Sequence, residues 1–152
     1  MQLQPRWCKF QQLDTFSLQA IFRLRQQVFI IEQQSIYADI DGLDPQSWHL
    51  LLQSQGQLQG YARLRGDSQQ SCYKFERLVL APPCRGQGAG RLLISQLIDK
   101  AMTLNEYPLL KLGAQCQLID FYRQWHFEVV GEPYDDGGIL HQDMQRPLML
   151  KT

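Results

Sequence analysis

Arg85-Gly86-Gln87-Gly88-Ala89-Gly90 is the segment of this chain whose residue types point most directly to a ligand. It follows a strand-like run and leads into Ile94, Leu97, Ile98 and Ala101, which repeat at helical spacing. Glycines let successive backbone N–H groups turn toward one point, and a helix start adds about half a positive charge there. Arg85 and Arg91 bring full charges nearby. Such a loop suits a pyrophosphate. Two other anion loops compete with that reading. Gly86-x-Gly88-x-Gly90 partly mimics a dinucleotide fingerprint, but no acidic residue ends the next strand about 20 residues on. A nucleotide P-loop needs Lys and then Ser or Thr, where this chain has Arg91-Leu92. A strand-to-helix turn without a ligand is the remaining alternative.

Groups able to move protons are few. His49 and His141 have the side-chain type that titrates nearest neutrality, and Glu32, Glu76 and Asp136 are further candidates for a base. A single histidine in a strand or loop is more often a satisfied polar residue than a base. Glu32, Asp41 and Asp44 would either attract a cationic ligand or solvate a loop. Tyr122 falls in an apolar stripe with Leu118, Phe121 and Trp125, so a core role competes with a chemical one. Cys84 lies beside the glycine loop with no histidine near it in sequence, which makes it an incidental thiol rather than a nucleophile.

The elements that must position these residues can be read from periodicity. Leu18, Ile21, Phe22, Arg25, Val28 and Phe29 predict a helix capped at Asp14 or Thr15. An irregular stretch over 32–47 follows. Residues 48–52 and 58–65 read as a hairpin turning at Gly56, and 73–80 as a third strand beside them. After the glycine loop and its helix come a short strand at 109–112, a helix carrying the Leu118–Trp125 stripe, and a strand at 127–130. A polar loop over 131–145 and a last strand at 148–150 complete the pattern. This order predicts one mixed α/β (α+β) domain over 1–152.

Composition excludes several classes. Lys+Arg and Asp+Glu balance at 15 each, so no overall field draws the chain to nucleic acid or an anionic membrane. Cys8, Cys72, Cys84 and Cys116 form no C-x-x-C pair and no metal-ligand spacing, so neither a metal nor a disulfide is expected. Without an apolar run of signal-peptide or membrane-spanning length, the expected location is cytoplasmic.

The chain also resembles the GNAT superfamily of N-acyltransferases, and more narrowly its bacterial ElaA-like branch. The resemblance rests on Arg25-x-x-Val28-Phe29-x-x-Glu32-Gln33, Tyr37, Asp41, Asp44 and His49, then Arg77-Leu78-Val79 and the glycine loop. It continues through Ala114-Gln115, Phe121-Tyr122, and Tyr134 to His141 and Met144. It implies a curved mixed sheet with flanking helices, whose central strands, 73–80 and 109–114, splay to admit acetyl-CoA. The cofactor-binding residues so implied are Leu78, Val79 and Leu80, the loop Arg85, Gly86, Gln87, Gly88, Ala89 and Gly90, and Phe121. The oxyanion would be met by a backbone N–H of Val79 or a neighbour. Tyr122 would face the sulfur, with His49, His141 and Glu32 among the remaining catalytic candidates.

The implied reaction is transfer of an acyl group, most simply acetyl, to a primary amine on a small molecule or peptide. Direct attack in a ternary complex, by a monomer or homodimer, is expected. A non-catalytic acyl-CoA-binding module is the rival. The acceptor is expected between 32–47 and 131–145. Three departures from the branch stand out. Trp125-His126-Phe127 replaces Phe-Gly-Phe, which asks His126 for a left-handed backbone. Gly137 stands where a carboxylate is usual, and Glu76 where glycine is usual.

Overall fold

Asp14 begins the first helix, its Oδ1 accepting the Ser17 N–H at 2.6 Å. The structure, a computed structural model, describes residues 1–151. Strand β1 (Gln4–Lys9) precedes that helix, α1 (Thr15–Arg25), which widens into i→i+5 turns over Gln26–Glu32. Strands β2 (Trp48–Ser54) and β3 (Gln57–Asp67) form the expected hairpin, turning through Gln55 and Gly56. Both turn residues have positive φ, +51° and +75°, the geometry that matches strand twist. Strand β4 (Cys72–Leu80) leads through the glycine loop into α2 (Ala89–Leu104). Strand β5 (Leu109–Gln115), the short α3 (Ile119–Arg123), β6 (Glu128–Asp136) and β7 (Ile139–Pro147) follow.

The seven strands form one mixed sheet ordered β1-β2-β3-β4-β5-β7-β6. Only β4 and β5 run parallel, joined across α2. Alternation along the strands sends Leu50, Leu64 and Phe75 to one face, where they pack with Leu93, Ile94 and Leu97 of α2. Leu51, Tyr61 and Val79 point the other way, onto Ile21 of α1 and Val28 just beyond it. The helices thus cover opposite faces. On the α1 side, the β4–β5–β7 part of the sheet keeps a cavity above it.

Four readings are corrected. Residues 131–145 are not a loop but most of the β6–β7 hairpin, turning at Gly137 (φ +61°) and Gly138 (φ +85°). Every residue of β6 is exposed, so backbone pairing holds it and no apolar alternation marks it. Residues 148–150 form no strand, although the Leu148 N–H donates to the Pro108 carbonyl at 2.8 Å. β1 carries too little apolar alternation to have been read as a strand. The stripe through Trp125 is α-helical only over α3, with Leu118 and Trp125 in the flanking turns.

Candidate active site

Pairing between β4 and β5 begins at Cys72↔Leu109 and stops at Phe75↔Leu112. Beyond that point the strands part, so their facing edges carry backbone groups without ladder partners. On its other side β4 holds a bulge. Tyr61 pairs with Val79 and Arg63 with Glu76, which puts Arg77 and Leu78 opposite Ala62 alone. Arg77 takes the left-handed conformation, φ +58°. A cavity of about 420 Å³ lies at this parting, with Phe29, Tyr37, Leu78, Tyr122, Tyr134 and His141 among its lining residues.

The glycine loop requires its glycines. Gly86 and Gly88 have φ of +73° and +79°, and a Cβ on either would stand in open space. Gly88 precedes α2 with no side-chain cap, and the first helical bond runs from the Leu92 N–H to the Gly88 carbonyl. The N–H groups of Ala89, Gly90 and Arg91 are therefore unspent, with no acidic side chain in the first turn to meet them. At Gly90 an added Cβ would lie 3.3 Å from Phe121 Cζ, so the missing side chain lets that ring rest on the loop. Gln87 closes the turn from its side chain to the Pro83 carbonyl at 2.9 Å. An acyl-CoA pyrophosphate fits this cradle: positive-φ glycines, free helix N–H groups, and Arg85 and Arg91 at its ends.

The candidate side chains separate sharply. Tyr122 lines the cavity at 7% exposure, and its hydroxyl has no hydrogen-bond partner among the described residues. Burial pushes its pKa up to about 12, so the proton stays on oxygen. His141 also lines the cavity. Its Nδ1 lies 2.7 Å from the Ile139 carbonyl, which only accepts, so Nδ1 donates there and, in the neutral ring, Nε2 is the acceptor. Its ring stacks on Tyr134, whose hydroxyl donates to Asp143 Oδ1 at 2.7 Å. Gly113 makes room for that hydroxyl, which would stand 2.8 Å from a Cβ there.

His49 lies outside the cavity, 1% exposed on β2. Its Nε2 donates to the Asp44 carbonyl at 2.9 Å, and its Nδ1 accepts from the Tyr61 hydroxyl at 2.7 Å. Burial lowers its pKa and keeps it neutral, with no lone pair to spare. Glu32 is likewise not a cavity residue: its carboxylate pairs with Arg85 at 2.8 Å. Arg85 also donates to the Leu80 carbonyl from Nε and Nη2. Glu76 borders the cavity but is held as a carboxylate. Burial alone would raise its pKa, and hydrogen bonds from Arg65 with the charge of Arg63 outweigh that and lower it. Asp136 lines the cavity. Cys84 is fully buried, its thiol donating to the Gln59 carbonyl at 3.1 Å, and burial raises its pKa.

A buried ionic cluster supports the α1-side wall. Arg25 and Arg63 are 0% exposed and share Asp44 Oδ1 at 2.8 and 3.0 Å. Arg25 also binds Asp39, and Arg63 binds Asp41 through two nitrogens. Arg77, at the bulge, lies 2.9 Å from Asp39 and 3.2 Å from Asp41. Asp41 and Asp44 therefore anchor the irregular segment to the sheet instead of facing an amine. Arg25 within an apolar helical stripe was the sequence signal for this cluster. The same segment meets the β6–β7 turn where Ser35 Oγ donates to the Gly137 carbonyl at 2.8 Å. A Cβ at position 137 would fall 2.1 Å from Ser35 Oγ, so glycine is the residue this contact admits. His126 has φ +68°, as its replacement of glycine requires.

Residues 12–148 match the GNAT acetyltransferase domain, and the chain belongs to that family. It is 40% identical over 148 residues to a UPF0039 protein of Synechocystis sp., an alignment covering 95% of each chain. Protein ElaA of Escherichia coli is 32% identical over 141 residues, 91% of this chain and 92% of ElaA. The crystal structure of ElaA superposes with a TM-score of 0.89 at 28% identity, covering 95% of this chain and 99% of that one. A Pseudomonas aeruginosa crystal structure described as an acyl-CoA N-acyltransferase reaches 0.90 at 31% identity, with the same coverage. No helix among the described residues is long and apolar enough to cross a membrane.

Proposed function

We propose that this protein transfers an acyl group, acetyl in the simplest case, from acyl-CoA to a primary amine bound in the β4–β5 cavity. The observation that carries this reading is the Tyr122 hydroxyl. It is protonated, without a protein partner and open to the cavity where the two strands part, one residue from the ring that rests on the glycine loop. The Pseudomonas relative described as an acyl-CoA N-acyltransferase supports the same reaction class.

When bound, the thioester supplies a carbonyl carbon that the amine attacks, forming a C–N bond and releasing the C–S pair as thiolate. The loop N–H groups and the α2 N-terminus hold the pyrophosphate. A backbone N–H of β4 at Leu78 or Val79, freed by the splay, meets the carbonyl oxygen as charge develops there. His141 Nε2 accepts the proton that the amine loses. Tyr122 donates a hydrogen bond to the departing sulfur. Giving up its proton fully, from about 12 to an ordinary thiol near 8.5, would be uphill by about 5 kcal/mol. It shares the proton, and solvent completes the transfer.

The test is to follow free thiol while the protein meets acetyl-CoA and a panel of primary amines. Amine-dependent thiol release supports transfer. Acetyl-CoA that raises the melting temperature without release from any amine supports the binding-module alternative instead.

A further inference from the structure

The cavity floor has an uneven charge pattern that no step above uses. Cross-strand register sets Arg65 on β3, Lys74 on β4 and Lys111 on β5 side by side in one row. Like charges directly opposite in a sheet repel, so such a row persists where anions offset it. Two of the three are offset within the chain. Arg65 Nε binds Glu76 Oε1 at 2.9 Å, and Lys74 Nζ lies 3.3 Å from Asp67 Oδ2. Lys111 reaches only an amide, the Gln70 Oε1 at 3.2 Å, and pairs with no carboxylate among the described residues.

Lys74 and Lys111 line the same cavity as His141, Asp143 and Asp136. On the β5–β7 ladder Lys111 faces Gln145 and Gly113 faces Asp143, so Asp143 is one diagonal step from Lys111. Diagonal neighbours stand roughly 7–8 Å apart. These two opposite charges do not pair; Asp143 Oδ1 instead accepts from the Tyr134 hydroxyl. The cavity therefore presents cations at one end and carboxylates with an imidazole at the other. Along that ladder Asp143 stands about two extended residues from Lys111, roughly 7 Å, and His141, opposite Gln115, about four, roughly 13 Å.

We infer that the acceptor is zwitterionic, its ammonium directed to His141 and Asp143 and its anionic end, a carboxylate or a phosphate, held by Lys111 and Lys74. This specifies the substrate class of the proposed transfer and rests on it. An extended dipeptide or an amino acid with its amine at the chain end has this form.

The experiment compares 6-aminohexanoate, 5-aminopentyl phosphate and the neutral 6-aminohexanamide. Each is titrated calorimetrically into the CoA-saturated protein and assayed separately for thiol release with acetyl-CoA. At least one anionic compound should bind ten or more times tighter than the amide, and the tighter one identifies the anion. Lys111→Gln should shrink that preference below threefold at an unchanged melting temperature, and Lys111→Arg should restore it. Equal binding of all three compounds by the unmodified protein, or a preference that survives Lys111→Gln, overturns the inference. Preferential binding with no thiol release upholds the anion site and sinks the transfer reaction. Thiol release that is equally efficient with the amide does the opposite.

Discussion

Replacing Tyr122 by Phe removes one oxygen and leaves a ring that packs at 5.3 Å from Phe121 and 6.4 Å from Phe127. Because the hydroxyl has no protein partner, its loss breaks no hydrogen bond within the chain. The hydroxyl opens to the cavity and is not sealed from water, so the melting temperature should change little. If the hydroxyl meets the departing sulfur, kcat should fall ten- to a thousandfold, about 1.4–4 kcal/mol of transition-state stabilisation. Acetyl-CoA affinity should stay within about threefold, since the interaction strengthens as charge develops on sulfur. Melting temperature, acetyl-CoA titration and kcat measured on one preparation separate the roles. Unchanged kcat in the folded variant refutes the assignment and leaves Tyr122 as a core residue.

Gly88→Glu should abolish acetyl-CoA binding while the protein stays folded, because it puts a carboxylate at a left-handed residue before α2; calorimetric affinity equal to that of the unmodified protein would place the phosphates elsewhere. His126→Gly should relieve a left-handed backbone and stabilise by about 1 kcal/mol, roughly 2–4 °C, in a thermal melt. A lower melting temperature would mean that the histidine side chain contributes more than its backbone costs. Asp41 gives a pH prediction: burial would raise its pKa, but Arg63, the Leu43 N–H and Arg77 hold it below the ordinary 3.8. A depressed carboxylate adds stability that is complete above the unfolded value and is lost as pH falls through the folded one. Urea unfolding at pH 6 and pH 3 should therefore differ less for Asp41→Asn than for the unmodified chain, and an equal difference would count against the pairing.

The glycine turn between β4 and α2, the β2–β3 hairpin and the helix capped by Asp14 were legible in the sequence because each is local. Glycine spacing, a two-residue turn and a cap with its periodic stripe are decided by residues close in the chain. The family resemblance was legible too, carried by separated motifs in order. The β6–β7 hairpin was missed although Gly137-Gly138 marks its turn. Met144 is its one buried apolar side chain, too little for a period-2 pattern, so register came from backbone pairing with β5.

The division between His49 and His141 was decided by tertiary structure alone. The two imidazoles are alike in type. One lies where Asp44 and Tyr61 consume both nitrogens, and the other sits at a cavity with one nitrogen tied to its own strand. Glu32 likewise became an Arg85 partner, and Asp41 and Asp44 became ligands of buried arginines. Chain-local chemistry determined which groups were present and where the glycine turn ahead of α2 falls. Which of those groups keep a free valence was decided by the tertiary fold, because the partners come from other elements: the Asp44 turn and strand β3 for His49, and the loop after β4 for Glu32.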